Sequence, residues 1–172
     1  MEKNMNVLEK ARECINKTDM EIKNETVKNV IAMITNKYLA IPFEEKFSSI
    51  EILDIDYGLI IRFLSNMRER YDAKEFAIEV EGNFKKLIDQ TNSVEEDILY
   101  KSLLLMNKID IFKPFTKENN KVSLLVYLFL IKEYKLSKRI TDRELYLVFE
   151  IFLAADQLDL GKIAAIENKL FI

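Results

Sequence analysis

The 172-residue chain contains no histidine, and that absence removes more chemistry than any other feature of its composition. Histidine titrates nearest neutrality and is the commonest metal ligand. Without it there is no serine–histidine or cysteine–histidine nucleophile, no HExxH zinc site and no RxxxxH ribonuclease motif. Acid–base work would fall to Glu, Asp, Lys or Tyr, each needing a strongly shifted pKa. Tryptophan is missing as well. The single cysteine, Cys14, can close no internal disulfide and build no zinc cluster. It falls on an apolar helical stripe, which predicts a small buried hydrophobe. Three isolated glycines supply neither a GxGxxG turn nor a GxxxxGK[ST] phosphate loop, so no cofactor is expected. With only two prolines, they also argue against a turn-rich all-β fold.

No charge sign dominates. Residues 1–86 carry 14 basic and 16 acidic side chains, and residues 87–172 carry 12 and 13. A protein that binds by neutralising phosphates needs a basic excess, so nucleic acid is a disfavoured partner. Nor is there a long hydrophobic run. The longest, Leu124 to Ile131, falls far short of the roughly 20 residues of a membrane span, so no membrane insertion is expected. The polar start and the lone cysteine predict an intracellular, cytoplasmic setting. The 20 Lys against 6 Arg suggest an AT-rich genome, such as that of a low-GC bacterium or phage.

What is present is helical periodicity. Apolar residues recur at three- and four-residue spacing over 5–18, 24–39, 57–71, 73–90, 94–108, 117–135, 142–157 and 160–170. Asn24, Asp56, Asp72 and Asp159 stand where N-caps belong. Ser93-Val94-Glu95-Glu96 and Thr141-Asp142-Arg143-Glu144 read as capping boxes. Gly82 is placed inside the fourth helix. The stretch Val122 to Ile131 is apolar on nearly every face, which predicts a central helix surrounded by the others and few reactive groups inside. The expected fold is all-α: an irregular or orthogonal bundle of about seven to eight helices around the helix at about 117–135. It forms a single domain over 1–172, divisible into a helix pair (1–40), a connection (41–56) and a core (57–172).

Four local patterns bear on function. Asp156 to Glu167 resembles a calcium-binding EF-hand loop at loop positions one, six, eight and twelve (Asp156, Gly161, Ile163, Glu167). Leu158 and Leu160 stand where oxygen ligands are required, so a helix–turn–helix corner capped by Asp159 is the expected structure. A basic surface is expected from Lys132, Lys135, Lys138, Arg139 and Arg143, and an acidic one from Glu44, Glu45, Glu51, Asp54 and Asp56. Asp19, Glu21 and Lys23 superficially suggest a nuclease set but lack the β-core on which such sites are built.

The functional expectation is a non-catalytic helical protein-interaction module that binds a protein partner. It would act as an adaptor, accessory subunit or inhibitor, for instance one encoded by a phage or mobile element and directed at a host enzyme. The alternatives are a DNA-binding transcriptional regulator using the 132–143 corner and a metal-dependent enzyme built from helix carboxylates. A homodimer would cover the surplus apolar faces of the fifth to seventh helices.

Overall fold

The computed structural model describes residues 8–13, 24–44 and 50–170, except for the side chain of Phe43. Within them the chain is all-α, as the periodicity predicts. Eight helices follow a short helical stretch at 8–13: α1 (Glu25–Tyr38), α2 (Ile41–Glu44), α3 (Tyr57–Arg70), α4 (Asn83–Asn92), α5 (Ile98–Phe112), α6 (Asn119–Glu133), α7 (Asp142–Asp156) and α8 (Leu160–Leu170). Cys14, Asp19, Glu21, Lys23 and Glu45 lie outside the described residues.

The centre is α6. Every residue from Asn120 to Ile131 is buried, so this helix shows solvent no long face. Helices α5, α7, α1 and α3 pack around it. Phe63 of α3 stacks on Phe129 of α6 at 4.5 Å between ring centres. One apolar cluster runs from Leu8 and Ile31 through Ile55 to Leu125 and Leu170.

Several predicted caps form as read. The Asn24 carboxamide accepts from the Thr26 and Val27 amides, and Asp56, Asp97, Thr141 and Asp159 accept from amides two or three residues into their helices. Each satisfies a donor that the first helical turn leaves without a partner. Asp97 replaces Ser93 in this role. Because α4 runs on to Asn92, Ser93 ends that helix and its hydroxyl donates to the Gln90 carbonyl.

The helix expected over 73–90 begins only at Asn83. Residues 73–82 instead run beside the α5–α6 connection. Glu79 forms an antiparallel bridge with Phe115, the Val80 amide donates to the Pro114 carbonyl, and the Thr116 amide donates to the Ile78 carbonyl. The chain then turns through Glu81 (φ 52°) and Gly82 (φ 73°), closed by Asn83 N–H to Val80 C=O at 2.9 Å. Two successive left-handed residues reverse direction as a helix cannot, and Gly82 takes that conformation without a Cβ penalty. Long-range pairing outweighs local helical periodicity here. Asp72, expected as a cap, is the left-handed residue that ends α3.

The scarcity of glycine shows at the helix ends. Asp72, Lys135 and Leu158 all have φ between 50° and 55°, and each is followed by the paired backbone bonds of a Schellman motif. Glycine is the residue that fits this position without strain.

Candidate functional site

The two expected surfaces meet at one end of the molecule. Residues 50–56 form a non-helical strap between α2 and α3. Asn92 imitates a paired strand: its carboxamide accepts from the Ile55 amide at 2.8 Å and donates to the Ile55 carbonyl at 2.9 Å. The Ile98 amide donates to the Glu51 carbonyl. Lys101 reaches out of α5 to donate to the Leu53 carbonyl at 2.8 Å and to Asp54 at 3.2 Å. The Tyr134 hydroxyl donates to the Asp54 carbonyl and accepts from the Asp56 amide. Burial raises the Tyr134 pKa, so this donor stays protonated at neutral pH. Glu51, Asp54 and Asp56 therefore sit on one exposed strap, with Ile52 exposed among them. Glu44 stands at the end of α2.

Two of the basic residues are partnered by acids. Arg139 donates to Glu44 at 2.8 Å, joining a member of the acidic set to one of the basic set. Lys132 pairs with Asp142 at 2.7 Å. Lys135, Lys138 and Arg143 are exposed. The end of the molecule that carries α2, the strap and the 132–143 corner thus has mixed charge.

Against this end lies a groove of about 330 Å³ between α3 and the α6–α7 corner. Helix α3 contributes two rows at four-residue spacing, which places the members of each row one above another on a helix face. The apolar row is Leu59, Phe63 and Met67; the polar row is Arg62, Asn66 and Arg70. Phe129 completes the floor, while Lys132, Glu133, Asp142 and Tyr146 form the opposite wall. The Arg70 guanidinium stacks over the Tyr146 ring at 4.0 Å, which steadies it without neutralising it. Among the described residues no carboxylate forms an ion pair with Arg62 or Arg70.

A second hollow, of about 410 Å³, is bounded by residues 72–76, Lys117, Glu118 and the end of α7. The EF-hand-like stretch begins there. Asp156 accepts from the buried Lys121 ammonium, which also pairs with Glu118 at 2.6 Å. Burial raises the Asp156 pKa, with the Lys121 charge pulling the other way. Leu158 and Leu160 are exposed and Asp159 caps α8, so 156–167 is the expected corner. Among the described residues no three His, Cys, Asp or Glu side chains gather where they could hold a metal ion.

The interior holds more charge than the sequence suggests. Lys101, Asp110 and Lys121 are all buried. The two lysines lay their aliphatic stems through the core and bring the ammonium to an acceptor. The Ser123 hydroxyl donates to Asp110 between α5 and α6. Nearby, the buried Asn120 Nδ2 has no hydrogen-bond partner among the described residues. Tyr38, almost wholly buried, donates to Glu144, and burial pushes its pKa upward. Tyr57 donates to Glu79; that bond and burial raise its pKa to about 12. Both phenols hold their protons at neutral pH.

Periodicity does not single out the arginine row of α3, because charged residues beside an apolar stripe are the ordinary pattern of a surface helix. The available signal was the i, i+4, i+8 repeat of Arg62, Asn66 and Arg70 directly beside the apolar row. No helix among the described residues is long and apolar enough to cross a membrane. The chain matches no known protein family, no curated protein and no solved structure.

Proposed function

We propose that the protein is a non-catalytic protein-interaction module, an adaptor, accessory subunit or inhibitor, that docks a segment of a protein partner in the α3 groove. The supporting observation is the pair of rows on α3: an apolar floor bordered by arginines that form no ion pair among the described residues. An apolar centre with a polar, arginine-bearing rim is the arrangement of a protein interface. The volume argues the same way. Small-molecule and cofactor sites run from roughly 300 to 1,000 Å³. A groove of about 330 Å³ is at the bottom of that range and suits one or two anchoring side chains.

Nucleic-acid binding through the 132–143 corner has weaker support. Lys132 and Arg139 are engaged by Asp142 and Glu44, so two of its five cations already have counter-charges. The carboxylate–metal reading has no ligand cluster to build on among the described residues.

Site-specific photo-crosslinking tests the reading. A benzophenone side chain in place of the exposed Asn66 should capture a discrete protein in extracts of the native host. The same group in place of the exposed Ala165 on α8 should not. Equal labelling from both positions, a nucleic-acid adduct, or no adduct at Asn66 would each refute it.

A further inference from the structure

The α3 rows also define what the partner must look like. Building on the interaction-module reading, we infer that the groove recognises an acidic segment of the partner, with an apolar anchor between two carboxylates that meet Arg62 and Arg70.

The spacing carries the first part of the argument. Arg62 and Arg70 are two helical turns apart, which at 1.5 Å per residue is about 12 Å. An extended segment rises about 3.3 Å per residue, so carboxylates about four residues apart span the same distance. A helical segment would do so with carboxylates two turns apart. In either form, a side chain between them falls opposite Phe63 and Met67, the middle and end of the apolar row.

Charge carries the second part. Arginine presents a planar fork that accepts a carboxylate through two parallel bonds. Lys132 in the opposite wall already has Asp142 at 2.7 Å, whereas Arg62 and Arg70 have no carboxylate partner among the described residues. Arg70 is held over Tyr146, so less side-chain freedom remains to be lost on binding.

The opposite wall decides between classes of anion. Glu133 and Asp142 line it. A phosphate backbone carries charge at every nucleotide and cannot avoid those two carboxylates. A peptide can place its acids on the α3 side and a neutral or basic residue facing Glu133. The site therefore favours a peptide with discrete carboxylates over a nucleic-acid strand.

Selection from a random dodecapeptide phage library, run on the wild-type protein and on the R62E/R70E variant, tests this. The wild type should enrich peptides with acids flanking an aromatic or aliphatic residue. In fluorescence anisotropy those peptides should bind R62E/R70E at least about tenfold more weakly, the scale of two lost charge pairs. Circular dichroism establishes whether the variant folds. Should R70E disturb the Tyr146 contact, R62E/N66E alters only exposed positions and should show the same loss. Neutral or basic consensus sequences, equal binding to both proteins, no enrichment, or displacement of the peptide by a thymidine oligonucleotide would each overturn the inference. Groove-dependent peptides without acids would sink the partner chemistry alone. Failure of the Asn66 crosslink as well would sink the docking site itself.

Discussion

Helix α6 and the strap at 50–56 solve the same problem by opposite means. Each must satisfy its backbone polar groups while lying against the core. The helix does so internally, through its own repeating hydrogen bonds, and is therefore free to turn apolar side chains in every direction. The strap has no regular ladder, and Asn92, Lys101 and Tyr134 bond to its backbone from elsewhere in the chain. The rod is a local solution that depends on apolar packing. The strap is a non-local one that depends on a few polar contacts. Its exposed Ile52 and its acids are consequently displayed to solvent, beside the end of the molecule that carries the groove.

The widest gap between the two should appear on truncating an aliphatic side chain in each. Leu125 is fully buried in α6, whereas Ile52 is 68% exposed on the strap. Leu125→Ala should cost about 2–5 kcal/mol, from lost transfer energy plus the cavity left behind. Ile52→Ala should change stability by no more than about 0.5 kcal/mol. Urea unfolding followed by circular dichroism measures both. Similar shifts in the two midpoints would mean that the strap is as deeply packed as the rod.

Polar truncation should reverse the emphasis. Asn92→Ala removes both bonds to the buried Ile55 backbone and should cost about 1–3 kcal/mol. The sharper readout is local: amide exchange at Ile55 should accelerate relative to amides of α6. An Ile55 amide as protected in the variant as in the wild type would show that Asn92 does not hold the strap.

This contrast also explains what the sequence disclosed. The rod was legible because its cause is local: the apolar run from Val122 to Ile131 is contiguous. The caps Asn24, Asp56, Thr141 and Asp159 act within three residues of themselves and were legible for the same reason. The strap was not, because Asn92 reaches 37 residues back and Tyr134 reaches 80. The 73–82 segment misled for a related reason: its apolar residues fit a helix, but its bonding partners lie at 114–116. The groove was illegible in a further sense. A helical wheel shows that Arg62 and Arg70 flank an apolar stripe, but not that Lys132, Glu133, Asp142 and Tyr146 stand opposite as the second wall of a groove.

The smallest expected effect lies at the end of the rod itself, where the local solution is imperfect. Lys135 follows α6 with φ 55°, and Leu136 N–H reaches back to Ile131 C=O at 2.8 Å. A left-handed conformation costs a non-glycine residue roughly 1–2 kcal/mol. Glycine escapes that strain but gives up about 0.4–1 kcal/mol through its freer unfolded chain. Among the described residues the exposed Lys135 side chain forms no hydrogen bond or ion pair that would offset the difference. Lys135→Gly should therefore stabilise the protein by about 0.5–1 kcal/mol, raising the urea midpoint with an unchanged slope. The strap has no left-handed residue, so glycine at exposed Leu53 should only destabilise. A lowered midpoint for Lys135→Gly would show that the lysine at this helix end contributes more through its charge near the α6 C-terminus than its backbone strain takes away.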